Sequence, residues 1–297
     1  MNQAADSAYT REPGRTGVIA SLAALYIIWS STYLAIRIAI EGFPPFLMAG
    51  IRFFVVGIAL YAYLRWKGAP APRGLQWRAG AIVGGLLLLG GNGGVVFAEQ
   101  SVSSGLAALG VATTPLWTVL FAGIWKRWPS RAEWAGIALG LVGIVLLNLE
   151  SDFRASPAGA IALFIAAVSW ALGSAWSRQL PLPAGMMASA VEMITGGALL
   201  LLTGAVAQER ISALPSWRPV AAVVYLAVFG SLVGFSAFTH LINRVRPALA
   251  TSYAYVNPAL AVLLGVWLAD ERIGVMGLAA MFVILTGVVL VVLGQRR

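Results

Sequence analysis

Two charged side chains stand inside stretches that are otherwise apolar: Arg52 in PPFLMAGIRFFVVG and Glu192 in PAGMMASAVEMITGG. Charge in a hydrocarbon environment is costly, so such residues either carry function or are bound to a buried partner. For Glu192 the two readings are a proton or cation site and a structural partner. For Arg52 they are capture of a substrate carboxylate, which a guanidinium fork suits, and a clamp between parts of the fold. Asn92 sits in GGLLLLGGNGG, where glycines weaken the helix and admit close backbone approach. It either faces a cavity from a bent or partly unwound helix or bonds to a neighbouring helix. A second polar set, Tyr253, Tyr255 and Asn257, precedes Pro258 in TSYAYVNPALAVLLG, and hydrocarbon would penalise each unless it faced protein or water. With Trp29, Tyr33, Trp117 and Trp170 these residues make a candidate cavity of rings with a few polar handles, suited to amphipathic organic solutes. Pro115 and Pro258 are expected to kink their helices.

Catalysis is a poor fit to this inventory. There is no cysteine, no HExxH and one histidine, and Glu192 is the only carboxylate read as lying well inside an apolar span. A nucleophile with its base, a carboxylate pair and a metal triad are all missing, so no catalytic residue and no metal site are assigned. No Gly-rich phosphate loop ending in Lys-Ser/Thr lies outside the apolar runs, so no cofactor is expected. The single histidine, His240, is read as a structural residue, with proton coupling as its alternative.

The elements that hold these residues are membrane helices. The chain has 297 residues, 60% hydrophobic and only 10% charged, with a mean hydropathy of +0.85. Soluble domains average roughly a quarter charged residues. Apolar runs of about 20 residues recur throughout, at 17–40, 45–65, 77–98, 103–125, 132–149, 157–177, 185–206, 217–240, 248–268 and 274–294. The fold class expected is an all-α polytopic membrane protein of ten helices. The net charge of +9 then reflects orientation rather than nucleic-acid binding. Fourteen of the 20 Lys and Arg fall in one alternating set of connections, while the opposite set carries mainly acids, among them Glu41, Glu99 and Glu209. That bias places both termini in the cytoplasm.

The chain also repeats itself. Aligning Pro115 with Pro258 brings Leu106-Ala107 onto Leu249-Ala250 and Val119-Leu120 onto Val262-Leu263. Trp29 and Arg37 match Trp170 and Arg178, and GIVLLNL (143–149) matches GVVLVVL (287–293). Five spans lie within one repeat, and an odd number inverts the second copy. The expected organisation is a cytoplasmic tail at 1–16, a first repeat at 17–150 and a second, inverted repeat at 151–297. Inverted repeats commonly bind substrate near the midplane and work by alternating access.

The stretches ALYIIWSSTYLAIR, LMAGIRF and PALATSYAYVNPALAVLLG resemble the drug/metabolite transporter superfamily, in particular its EamA branch. The resemblance covers the chain after about Thr16. It implies two inverted EamA repeats around a central cavity in a bacterial inner membrane, and export of small organic metabolites, most of all amino acids, aromatic ones included. The partners expected are a small-molecule substrate and the lipid bilayer, with protons as a candidate coupling ion, no nucleic acid, and a monomeric state. A passive facilitator and an exporter of drugs or other metabolites are the alternatives.

Overall fold

The computed structural model describes residues 15–122, 130–147, 149, 156–244, 253–270 and 272–294. Among them there is no strand. The helices are α1 (Thr16–Ala39), α2 (Pro45–Trp66), α3 (Gly74–Ala98), α4 in two pieces (Ser104–Val111 and Thr114–Ala122) and α5 (Arg131–Leu147). They continue with α6 (Pro157–Ser177), α7 (Met186–Val206), α8 (Trp217–Leu241), α9 (Tyr253–Ala269) and α10 (Val275–Gly294). Six of these, α1, α2, α3, α6, α7 and α8, are 21–25 residues long and apolar enough to cross a membrane. At 1.5 Å per residue each exceeds the roughly 30 Å hydrocarbon core. Val55, Ile58, Ile161, Ile165 and Leu202 are exposed on their outer faces, as lipid-facing residues are. The chain is a multi-pass membrane protein.

Helix starts are chemically marked. Pro45 and Pro157 occupy first-turn positions, where no intrahelical N–H is needed, and the Ser156 hydroxyl accepts from the Gly159 N–H at 3.2 Å. At α5, Ser130 and Glu133 form a reciprocal capping box. The start of α2 is capped from a distance. The Glu209 carboxylate, just beyond α7, accepts from Phe46 N–H at 3.2 Å and Leu47 N–H at 2.7 Å. That places a negative charge on a helix N-terminus, where the dipole favours it.

Glycines set how closely the helices pair. A Cβ at Gly57 would stand 2.7 Å from Ile194 N, and one at Gly197 would stand 2.6 Å from Phe54 N. Gly50 meets Leu201 in the same way, so one number falls as the other rises and α2 and α7 run antiparallel, backbone against backbone. Gly143 against Ile284 and Gly287 against Gly140 pair α5 and α10 in the same sense. Gly91 against Trp170 and Gly173 against Leu87 do so for α3 and α6.

Three helices are irregular in their middles, with π-helical segments at Leu25–Trp29 in α1, Gly85–Gly93 in α3 and Leu226–Phe235 in α8. The glycine-rich stretch around Asn92 is thus a widened helix rather than an unwound one. The carbonyls of the first segment are taken by the hydroxyls that follow it. Ser30 donates to Tyr26 O, Ser31 to Ile28 O at 2.8 Å and Thr32 to Trp29 O at 2.7 Å.

The two prolines behave differently. Pro115 cannot donate to Val111 O, and that carbonyl is taken by the Thr114 hydroxyl at 2.6 Å. There α4 breaks in two, at Ala112–Thr113, where the sequence predicted one bent span. Pro258 lies within α9, which continues through it.

Candidate functional site

The three widened segments meet at one internal cavity. Its wall takes Trp29, Thr32, Tyr33 and Ile36 from α1, Arg52 and Phe53 from α2, and Leu88, Gly91, Asn92 and Val95 from α3. Trp170 of α6, Gly230 and Phe235 of α8 and Tyr253 of α9 complete it, with Val111 and Ala166. The space open to the centre of a water molecule is about 80 Å³. Pockets that hold drug-sized ligands span roughly 300–1,000 Å³, so in this conformation the site has room for only a few water-sized volumes. A larger, apolar cleft of about 770 Å³ lies between α1, α2 and α8, with His240 in its lining, apart from this cavity.

Part of the cavity wall belongs to a cluster of rings. The Trp29 ring lies 4.9 Å from Tyr253 and 5.5 Å from Trp170, both edge-on, and 5.4 Å from Phe238. Phe238 in turn lies 5.6 Å from Trp170 and 6.3 Å from Phe235. Edge-to-face geometry suits the ring quadrupoles. The Trp29 indole N–H donates to Gly230 O at 3.3 Å, which ties the widened turn of α1 to that of α8.

Another part of the wall is polar. Arg52 is 3% exposed, and its Nη2 donates to Asn92 Oδ1 at 2.9 Å. Its guanidinium lies 4.3 Å from the Phe53 ring centroid, a cation–π contact. Its Nε and Nη1 have no hydrogen-bond partner among the described residues. Glu99 is fully buried at the end of α3 and acts electrostatically on both Arg52 and Tyr33, while Arg37 Nη1 donates to the Glu99 carbonyl.

Of the residues singled out in the sequence, the structure brings Trp29, Tyr33, Arg52, Asn92, Trp170 and Tyr253 together in the cavity wall. Asn92 fits both of its readings at once, since it lines the cavity and bonds to α2. Asn257 is 4% exposed and not part of this wall, and its Oδ1 accepts from Ser30 Oγ at 3.1 Å, so it braces α9 against α1. Trp117 is likewise outside this wall; its indole donates to Thr113 Oγ1 at 3.3 Å and its ring packs edge-on against Phe164, which is half exposed. Both residues found partners within the helix packing and so do not reach the site. The Tyr255 side chain lies outside the described residues.

Glu192 is buried but is not in the cavity wall. In the α2–α7 register it lies opposite Ala59, seven residues and about 10 Å along α2 from Arg52. The helices are neighbours, yet the hydrogen bond Arg52 makes is to Asn92. Glu99, at the end of α3 rather than inside it, is fully buried as well. Its place at a span end made it look solvent-facing. The available signal was its spacing of seven from Asn92, two turns on one helix face. Phe53, Phe235 and Phe238 were passed over as ordinary apolar residues. Among the described residues no three His, Asp or Glu side chains gather as metal ligands would.

A multi-pass helical protein with irregular helices around an internal cavity is built as membrane transporters are rather than as membrane anchors. Comparison with known proteins makes the class specific. The chain belongs to the EamA-like transporter family, whose model matches it twice, at residues 15–149 and 157–293. It is 47% identical over 276 residues to the inner membrane transporter YedA of Escherichia coli (strain K12), covering 93% of this chain and 90% of that one. It is 25% identical over 287 residues to a Salmonella typhimurium protein named as a probable amino-acid metabolite efflux pump, covering 91% and 93%. A solved crystal structure 24% identical in sequence superposes with a TM-score of 0.68 over 95% of this chain and 99% of that one, a likeness of fold.

Proposed function

We propose that this chain is a secondary transporter that exports small organic metabolites, chiefly amino acids with apolar or aromatic side chains, across the bacterial inner membrane. The mechanism in this reading is alternating access by two inverted five-helix repeats around the central cavity. The observation that carries it is the cavity itself, whose wall combines a cluster of rings, a buried Arg52–Asn92 pair and residues of three widened helices. Irregular backbone at membrane depth is tolerated where it is buried in protein or lines a cavity. The antiparallel pairing of α2 with α7 and of α5 with α10 is what an inverted duplication produces at its axis, and it supports the repeat reading. The direction of transport and the amino-acid class are supported by the name of the Salmonella relative. The charge bias of the connections supports cytoplasmic termini.

The narrowness of the cavity supports a carrier over a passive facilitator. The test is counterflow in proteoliposomes preloaded with single amino acids, following uptake of the labelled species. Saturable, trans-stimulated uptake that Trp170→Ala weakens is the expected result. Uptake that rises linearly with concentration and ignores the preloaded solute would instead identify a facilitator.

A further inference from the structure

We propose that Arg52, held in place by Asn92, recognises a carboxylate on the transported solute, so that the cargo class is small carboxylic acids carrying an apolar or aromatic group. This rests on the transport reading above and assigns its polar recognition group. A guanidinium carries five N–H donors arranged in two forks, each of which can grip a carboxylate with parallel bonds. Asn92 Oδ1 engages one hydrogen of Nη2. Whichever hydrogen that is, one fork of the guanidinium is left whole. Nε and Nη1 have no partner among the described residues, although the side chain is 97% buried and lines the cavity.

A buried arginine with donors left over is expensive, because unmade hydrogen bonds of a charged group cost more than those of a neutral one. A purely structural arginine at this position would be expected to spend those donors on backbone carbonyls or a carboxylate in contact. Here the flat face is covered by the Phe53 ring, which holds the plane without using an N–H. Glu99 lowers the cost of the charge electrostatically. Asn92 supplies the fixed bond that sets the orientation, from the widened segment of α3. The rings of Trp29, Trp170 and Tyr253 lie in the same cavity and would take the apolar part of such a solute.

The test uses three probes sharing a phenyl group: L-phenylalanine, 3-phenylpropionate and L-phenylalaninamide, the last with its carboxylate blocked. Binding to the purified full chain is read by ligand-induced thermal stabilisation and by tryptophan fluorescence. The same preparations are then reconstituted for counterflow. In the wild type at least one of the two acids is expected to bind more tightly than the amide, on the order of 10- to 100-fold. Arg52→Gln is expected to abolish that preference and Arg52→Lys to keep part of it. Asn92→Ala, which removes the orienting bond, is expected to weaken acid binding several-fold more than it weakens amide binding.

An acid-to-amide ratio near one in the wild type overturns the proposal, as does a preference that survives in Arg52→Gln. If Arg52→Gln does not fold, the wild-type ratio and Asn92→Ala decide the matter alone. Counterflow of any solute without a carboxylate preference would refute the role of Arg52 and leave the transport reading standing. Absence of both binding and counterflow across the probes and a wider amino-acid panel would remove both.

Discussion

Asn257 joins α9 to α1 through its Oδ1, which accepts from Ser30 Oγ at 3.1 Å, and replacing it with alanine separates a structural role from a ligand role. The magnitude follows from what each partner keeps. The single Ser30 proton is shared between Asn257 and the Tyr26 carbonyl, so the hydroxyl keeps an acceptor when Asn257 is removed. Interhelical hydrogen bonds within membranes average about 0.6 kcal/mol and reach about 1.7. Allowing for the small void, Asn257→Ala should cost roughly 1–2 kcal/mol. With an unfolding entropy of about 2.1 cal/mol/K per residue, the 297 residues make that a fall in Tm of about 2–3 °C.

The assay pairs thermal unfolding of the purified protein with counterflow kinetics in proteoliposomes. Asn257→Ala should lower Tm by that amount and leave the apparent KM within about twofold of wild type. Combined with Ser30→Ala, it should cost less than the two single losses together, since the two residues share one bond. A KM raised about tenfold with Tm unchanged would refute the bracing role. That is the loss expected when a bond to a charged ligand group disappears, about 1.5 kcal/mol or more.

Four further outcomes follow from the packing and the caps. Gly197→Val should lower Tm sharply, by the equivalent of about 3 kcal/mol or more, because even a Cβ would meet Phe54 N at 2.6 Å; a stable, active variant in thermal unfolding and counterflow would contradict the α2–α7 register. Glu209→Ala removes the acceptor for two N–H groups at the start of α2 and should cost about 1–2 kcal/mol by thermal unfolding, with substrate affinity in counterflow unchanged. Trp170→Ala should weaken solute binding at least tenfold in a fluorescence or thermal-shift titration, since its ring lines the cavity and packs on Trp29 and Phe238. Glu192→Gln should abolish the response of transport to an imposed pH gradient while leaving counterflow intact, and an unchanged response would end its candidacy for proton coupling.

Much of the architecture could be read from composition and periodicity, because a bilayer admits few solutions and apolar runs of 20 residues advertise one of them. The duplicated Trp29/Trp170 pair and the buried Arg52 were legible for the same reason: large rings and a charge inside apolar runs need a common place to go. Asn257 shows where such reading stops. Its burial was predictable, but the group that satisfies it, Ser30, is 227 residues away. Only the packing of α9 on α1 could reveal that the bond is internal. Glu99 failed differently. A carboxylate at the end of a span reads as solvent-facing, and its inward turn depends on the short connection from Ala98 to Ser104 and on the bond from Arg37 to its carbonyl. The widened helices had only half a signal. Glycines mark the one in α3, whereas LYIIW in α1 and LAVFGSLVGF in α8 contain little that distinguishes them from regular membrane helix.

Those three segments also explain why the recognition groups gather where they do. A π turn shifts the hydrogen-bond ladder, so carbonyls inside it need partners other than the usual N–H four residues on. In α1 the partners are three consecutive hydroxyls, Ser30, Ser31 and Thr32, and in α8 the Gly230 carbonyl takes the Trp29 indole. Side chains that stabilise irregular backbone are polar and short or amphipathic, and such residues can also line a cavity without filling it. Asn92 does both, standing in the widened stretch of α3 and fixing the guanidinium of Arg52. Six of the 16 residues of the cavity wall, Trp29, Leu88, Gly91, Asn92, Gly230 and Phe235, belong to the widened segments. A substitution that restores a regular helix at Gly91 or Gly230 would alter cavity shape and solute recognition together.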